Sequence, residues 1–381
     1  MDRFKDIRPY HDDEIRPVLD KLITNPEFLA SIASFYAPRM TRFFPAWTRA
    51  MARRKLQGQL RGVHNVASMQ DVVAGYMDKM IEDTTTNLTH SGMQHLTSGR
   101  SYLFISNHRD IVMDPAFVNY MLYHAGHQTL QIAIGDNLLK KPFVSDLMRL
   151  NKSFIVRRSL KGRELLQALV LLSEYIHHCI GNSQNVWIAQ REGRAKDGID
   201  KTDSALLKML ARGQRKMPLN QSLNQLHIVP VAISYEYDAC DVLKAKELYQ
   251  VETAGSFSKT DQSDIHSIVT GMIGFKGHVH VAFGRELQFN SEDPEVIAAD
   301  IDAQILLNNE LRDSNYLALE RLKQDGKVSL NKISTAMESH AIASGSRRAF
   351  EKRLQAVDPQ LHRHYLFSYA NPVISRYSVP S

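Results

Sequence analysis

Cysteine is nearly absent: the 381-residue chain has two, Cys179 and Cys240. Two are too few for a disulfide framework and lack the paired spacing of a zinc site, which points to a reducing compartment. Long apolar runs are missing as well. The longest candidate, Leu165 to Leu172, falls far short of the roughly 20 residues that cross a bilayer. The opening stretch MDRFKDIRPYHDDEIRP is highly charged and holds no signal-peptide core. The expectation is a soluble or peripheral, cytoplasmic protein. Acidic residues are absent from Arg39 to Arg61, which carries seven basic ones: Arg39, Arg42, Arg49, Arg53, Arg54, Lys55 and Arg61. Met40, Phe43, Phe44, Trp47, Met51 and Leu56 are interleaved with them. Such a mixture suits an anionic membrane surface, where apolar side chains enter the headgroup boundary and Lys and Arg meet phosphates. It equally suits a core-facing helix with a solvated basic side. No nucleic-acid recognition motif accompanies it, so no nucleic-acid partner is expected.

What is present is organised around Tyr102 to Pro115, YLFISNHRDIVMDP. Tyr102 to Ile105 reads as a short buried strand, Ser106-Asn107 breaks it, and His108, Arg109, Asp110 and Asp114 open a helix. A histidine at such a junction, with carboxylates within two turns, can be a base and its orienting partner. The same residues also suit a helix cap with solvated carboxylates. Residues 1–95 read as helical, without strand alternation. Beyond them strands and helices alternate: strands at 129–134, 153–156, 185–189, 228–235 and 278–283, and helices at 142–150, 162–180 and 205–210. Residues 294–357 return to helix, with a polar break near Asp325-Gly326 and a basic, exposed segment from Ser344 to Arg353. This pattern predicts an α/β fold, a mixed sheet covered by helices, with helical N-terminal and C-terminal extensions. The expected domains are 1–95, 96–290 and 291–381.

Three further stretches lie at or just after strands, where open α/β sheets place their sites. Arg157 and Arg158 come after Phe154-Ile155-Val156 and can fork a phosphate or carboxylate. Glu192, Gly193, Arg194 and Lys196 come after Trp187-Ile188-Ala189, the glycine allowing close approach and the cations adding charge. Val229-Pro230-Val231 lies in an apolar strand. Singly, each is also explained as surface arginines, a turn glycine or a core strand.

In order, the set resembles the glycerolipid acyltransferase family, which carries NH-x4-D, then F-I-x-R, then F-x-E-G-x-R-S, then a V-P-V strand. The matching residues are Asn107-His108 with Asp114, Phe154-Ile155-Val156-Arg157, Glu192-Gly193-Arg194 and Val229-Pro230-Val231. The resemblance covers roughly residues 95–290. Two departures mark a divergent branch. Five residues rather than four separate His108 from Asp114, with Asp110 as a second possible partner, and Arg194 follows Gly193 directly, leaving Arg194 or Lys196 for the family arginine.

The resemblance implies transfer of a fatty acyl group from acyl-CoA or acyl carrier protein to a hydroxyl of a phosphorylated glycerol or lysolipid acceptor. It implies His108 as general base, Asp114 as its partner, and direct attack without an acyl-enzyme. Oxyanion donors would come from the Glu192-Gly193 turn. Arg157 and Arg194, with Arg158, Lys196 or Arg109, would bind the acceptor phosphate. No metal and no organic cofactor is implied. The alternative is a non-catalytic peripheral lipid-binding protein on a degenerate acyltransferase fold.

Overall fold

The computed structural model describes residues 2–258, 261–327 and 340–378. In chain order the elements are α1 (Asp12–Leu22), α2 (Pro26–Tyr36), α3 (Pro38–Phe43), α4 (Pro45–Gln59), α5 (Val66–Thr84), β1 (Thr85–Ser91), β2 (Leu103–Ser106), α6 (Met113–His124) and β3 (Gln131–Gly135). Next come α7 (Pro142–Leu150), β4 (Ser153–Val156), α8 (Gly162–Gly181), β5 (Val186–Ala189), α9 (Ser204–Leu210), α10 (Leu219–Asn224), β6 (Ile228–Tyr235), α11 (Asp241–Ala254), α12 (Asp261–Ile273) and β7 (Gly277–Phe283). The C-terminal helices are α13 (Pro294–Asn308), α14 (Asp313–Gln324), α15 (Ser344–Gln355) and α16 (His362–Ser378). The architecture is α/β, with a mixed sheet and many helices. Of the helix expected over 294–357, the part from 328 to 339 lies outside the described residues.

The chain divides into two compact units, Met1–Lys79 with Leu130–Tyr175, and Met80–Thr129 with Ile176–Ser381. In the first, Pro26, Pro38 and Pro45 each begin a helix. Proline's fixed φ and missing N–H suit the first helical turn and end whatever helix precedes it. Asn25 adds a cap by accepting from the Phe28 N–H. Ile15, Leu19 and Leu22 of α1 bury against Phe28, Leu60, Val63, Met69, Phe143 and Leu150. β3 and β4 pair in parallel in this unit, and the Ile155 N–H donates to the Ile7 carbonyl at 2.8 Å.

In the second unit five strands run β1-β7-β6-β2-β5. All neighbours are parallel except β6 and β7. Leu103, Phe104 and Ile105 of β2 are fully buried, as a strand flanked by neighbours on both edges must be. Residues 85–91, expected within the helical N-terminal stretch, form β1 instead. Its sequence TTNLTHS has one large apolar residue, so periodicity gives little sign of it; β1 is an edge strand held by its parallel pairing to β7. Tyr316, Leu317, Phe350, Tyr365, Leu366, Tyr369 and Val373 form the core of the C-terminal helices. Of the segment Ser344 to Arg353 expected to be exposed, most residues are, but Phe350 is buried in this core.

Strand register brings the loops of one sheet end together. Ser106 ends β2 opposite Ala189, the last residue of β5, and opposite Val231 of β6. The loops after β2 and β5 therefore leave the sheet side by side. β6 continues four residues further, to Tyr235, alongside the loop that carries His108.

Candidate active site

Six residues, 107–112, link β2 to α6. Asn107 is buried and brackets β6 by accepting from the Ile233 N–H at 2.8 Å and donating to the Ile233 carbonyl at 3.0 Å. Its side chain thus extends the sheet where the β2 backbone has left it. Asp110 accepts from the Val112 and Met113 N–H groups at 3.0 and 2.9 Å, so its carboxylate holds the first turn of α6. Burial, and next the charge of Asp114, pushes the Asp110 carboxyl up from its ordinary range. An ideal Cβ built on Gly271 of α12 would lie 2.0 Å from an Asp110 oxygen, so α12 passes the cap only because residue 271 has no side chain.

His108 Nδ1 lies 2.8 Å from Asp114 Oδ2. The same oxygen accepts the Arg109 and Asp110 N–H groups at 2.6 and 2.9 Å, and Asp114 Oδ1 accepts the Tyr235 hydroxyl at 2.6 Å. Of the two aspartates, Asp114 is the one bonded to the imidazole, and Asp110 instead caps the helix. The extra residue between His108 and Asp114 is absorbed in the turn that Asp110 closes. Asp114 is fully buried, yet four donors converge on it, which is how a carboxylate keeps its charge away from water. A carboxylate only accepts, so the proton between the two groups sits on Nδ1 and the Nε2 lone pair is left for other work. The imidazole side chain is 13% exposed, and the Trp187 ring meets it edge-on with centroids 5.9 Å apart.

The segment after β5 wraps the same loop. The Ala195 N–H donates to the His108 carbonyl at 2.7 Å, and the Gln190 N–H to the Ser106 carbonyl at 2.9 Å. Arg109 donates to Asp200 at 2.6 Å and to the Gly198 carbonyl at 3.2 Å. Lys244 donates to the Arg109 carbonyl at 2.6 Å and pairs with Asp238. Burial works to raise the Asp238 carboxyl, but the Lys244 charge and hydrogen bond outweigh it and hold the group below its ordinary range.

The other residues singled out in the sequence fall in different settings. Glu192 and Gly193 are exposed at the turn after β5, where Gly193 takes a left-handed φ of 76°. Arg194 is half-buried, and its Nη1 is buried without a hydrogen-bond partner. Lys196 is engaged by Glu247 at 2.5 Å. Arg157 and Arg158 come after β4 and belong to the first compact unit. Arg157 is 40% exposed and lies 3.7 Å from Asp6, and the Arg158 N–H donates to Asp136 at 3.1 Å. His108, Arg109 and Asp114 are thus brought together with Ala195 and the segment around it. Sequence reading missed Tyr235, Asp200 and Lys244. The only available sign of Tyr235 was a hydroxyl at the end of an apolar strand.

Residues 87–234 match the acyltransferase family. That range runs from β1 to the end of β6 and includes the His108–Asp114 pair. Among curated proteins it is similar to the glycerol-3-phosphate acyltransferase of Haemophilus ducreyi, 24% identical over 73% of this chain and 33% of the relative. It is also similar to those of Xanthomonas axonopodis pv. citri, 26% identical over 44% of this chain and 20% of the relative, and of Pseudomonas syringae pv. tomato, 27% identical over 59% and 26%. The chain therefore spans at most about a third of the length of these relatives. The crystal structure of the 1-acyl-sn-glycerophosphate acyltransferase from Thermotoga maritima aligns with 75% of this chain and 96% of its own, at 13% identity and a TM-score of 0.35.

Proposed function

We propose that this chain is an O-acyltransferase that moves a fatty acyl group from a thioester, acyl-CoA or acyl carrier protein, to a hydroxyl of a glycerol phosphate or lysophospholipid. The observation that carries the reading is the His108 Nδ1 contact with Asp114, which leaves Nε2 as a base at a partly exposed position. In the reaction Nε2 takes the acceptor's hydroxyl proton and the oxygen attacks the thioester carbonyl. The tetrahedral intermediate then expels the thiolate as the C–S bond breaks, and the imidazolium returns its proton to the sulfur. Asp114 stabilises the imidazolium throughout. Backbone N–H groups of the Glu192-Gly193 turn are the proposed oxyanion donors. For the acceptor phosphate, Arg194 is best supported because one of its guanidinium nitrogens has no partner, whereas Arg109 and Lys196 already hold carboxylates. Arg157 and Arg158 are assigned to the acceptor by their place in the family pattern. The relatives' name favours glycerol 3-phosphate as the first acceptor to try.

The domain's substrates are lipidic, and α2 to α4 offer a surface that suits a bilayer. Phe43, Phe44 and Trp47 are 73%, 62% and 53% exposed, and Arg39, Arg42, Arg53, Arg54 and Lys55 are exposed with them. Among the described residues no helix is long and apolar enough to cross a membrane. We assign this surface to peripheral contact with anionic lipid, at the cytoplasmic face.

The test is acyl transfer from long-chain acyl-CoA and acyl carrier protein to glycerol 3-phosphate and lysophosphatidate, with wild type and His108→Ala. General-base catalysis contributes about 10² to 10⁴ in rate, so the variant is expected to lose that factor while remaining folded. Undiminished turnover in folded His108→Ala would overturn the mechanism. No turnover by wild type with any pair, alongside retained vesicle binding, would favour a lipid-binding role on this fold.

A further inference from the structure

The loop that carries His108 is built against the end of β6 at two points, and the second is a side chain to which neither the family pattern nor the reaction assigns a role. We propose that Tyr235 is a positioning residue for the reaction: its hydroxyl fixes the Asp114 carboxylate and thereby sets the imidazole of His108 as a base with Nε2 free. This role rests on the chain being an acyltransferase.

The geometry supports it in three ways. Tyr235 donates to Asp114 Oδ1 at 2.6 Å, on the carboxylate oxygen opposite the one that holds His108 Nδ1. The remaining donors to Asp114, two backbone N–H groups, share Oδ2 with His108, so Tyr235 is the only side chain or backbone group bonded to Oδ1 among the described residues. Two residues earlier, Ile233 brackets Asn107, so the β6 end locates both the start of the loop and the carboxylate at its far side. Phe117 of α6 meets the Tyr235 ring edge-on, with centroids 6.0 Å apart, and limits its swing.

The charged groups around the pair are His108, Arg109, Asp110 and Asp238, the last neutralised by Lys244 and Arg109 by Asp200. Burial first, then the nearby Asp114 and Asp110 charges, push the phenol well above its ordinary range, so it stays a donor wherever the enzyme would work. Without this donor the buried Oδ1 attracts a proton, onto itself or onto the neighbouring imidazole. A proton on the imidazole occupies the Nε2 lone pair, and one on Asp114 removes the charge that stabilises the imidazolium, so activity should fail at a higher pH than in wild type.

The experiment compares wild type, Tyr235→Phe, and protein with 3-fluorotyrosine incorporated at position 235, which keeps the ring and is a stronger donor. Two readouts are taken: the pH profile of kcat/KM with acyl-CoA and glycerol 3-phosphate, and the ¹⁵N shifts of the His108 imidazole without substrate, which report the tautomer. Tyr235→Phe is expected to lower kcat/KM about tenfold, since a buried charged acceptor loses one partner. Its acid limb should move to higher pH, and the fluorinated protein's to lower pH. The imidazole should be the single Nδ1–H tautomer in wild type and mixed in Tyr235→Phe. If both profiles superimpose on wild type and the tautomer is unchanged, Tyr235 is structural only and the proposal fails. If wild type shows no turnover with any donor and acceptor of the panel above, the acyltransferase reading fails and the tautomer alone decides whether Tyr235 positions His108. If Tyr235→Phe does not fold, the fluorinated protein carries the test.

Discussion

Two stretches of this chain treat their side chains in opposite ways. From Asn107 to Asp114 the polar groups are committed: Asn107 to Ile233, Arg109 to Asp200, Asp110 to the α6 turn, and Asp114 to four donors. From Phe35 to Lys55 large aromatic and basic side chains stand in solvent, with Phe43 73% exposed. The first arrangement costs entropy and desolvation and repays it in fixed geometry, which is what a base needs. The second leaves apolar surface unsatisfied, which a water-facing helix gains nothing from but a bilayer-facing one does. The contrast predicts that substitutions in the first stretch cost turnover or stability, whereas those in the second cost association alone.

The largest effect is expected at Asp114. Asp114→Asn keeps the shape and one acceptor but removes the charge that stabilises the imidazolium in the proposed reaction. A fall in kcat/KM of about 10² to 10⁴ is expected, with the melting temperature nearly kept. A loss under threefold would show that the pair is architectural. Next comes Asp238→Asn, which strands the buried Lys244 beneath Arg109. Breaking such a pair costs about 3–5 kcal/mol, measurable by urea unfolding at neutral pH. The Asp238 carboxyl titrates below its ordinary range in the folded protein. Its stabilisation is therefore complete above the unfolded value near 3.8 and is lost as pH falls through the lower, folded one. The gap between wild type and Asp238→Asn should narrow only below about pH 4. A gap that closes between pH 7 and 5 would contradict the assignment.

A smaller effect tests the cap. Gly271→Ala drives a methyl into the Asp110 carboxylate and should destabilise by about 1–3 kcal/mol, the range for overpacking. Pairing it with Asp110→Ala sharpens the point, because the two losses should be far from additive if they share one contact. The smallest stability change belongs to the exposed stretch. Replacing Phe43, Phe44 and Trp47 together by Ser should leave stability within about 0.5 kcal/mol. Co-sedimentation with vesicles containing phosphatidylglycerol should nevertheless fall about tenfold or more, and binding by wild type should weaken as salt is raised. Unchanged sedimentation would erase the difference between the two stretches.

Much of the fold is legible in the sequence, for definable reasons. The strands at 153–156 and 228–235 and the helix at 142–150 are placed to the residue, because short apolar runs between turn formers and a helix-starting Pro142 leave little choice. Asp114 can be favoured over Asp110 from the apolar residues before it. β1 is hidden because its stability comes from pairing with β7, almost 200 residues later, rather than from its own composition. α16 is foreshadowed only as part of a helical C-terminal extension, without bounds of its own: Tyr365, Tyr369 and Val373 repeat at helical spacing, but Pro372 and the polar residues between obscure the stripe. Tyr235, Lys244 and Asp200 cannot be connected to His108 from sequence at all, because their contacts depend on strand register and on how far one strand outruns another.

That overrun has a consequence for how this chain can change length. Alternate residues at the end of β6 serve opposite sides of the sheet. Tyr235 reaches Asp114, whereas Ser234 donates to Asn309 at 2.7 Å and accepts the Glu310 N–H at 2.8 Å, joining the C-terminal helices to the sheet. Inserting or deleting one residue after Ile233 would exchange these duties and send the phenol toward the helices and the small hydroxyl toward the imidazole. A change of two residues would preserve the facing but move each group by nearly 7 Å along the strand, beyond hydrogen-bond reach. The segment is thus a ruler with one permitted length, and a loop transplant or domain fusion in this protein should leave 231–235 whole.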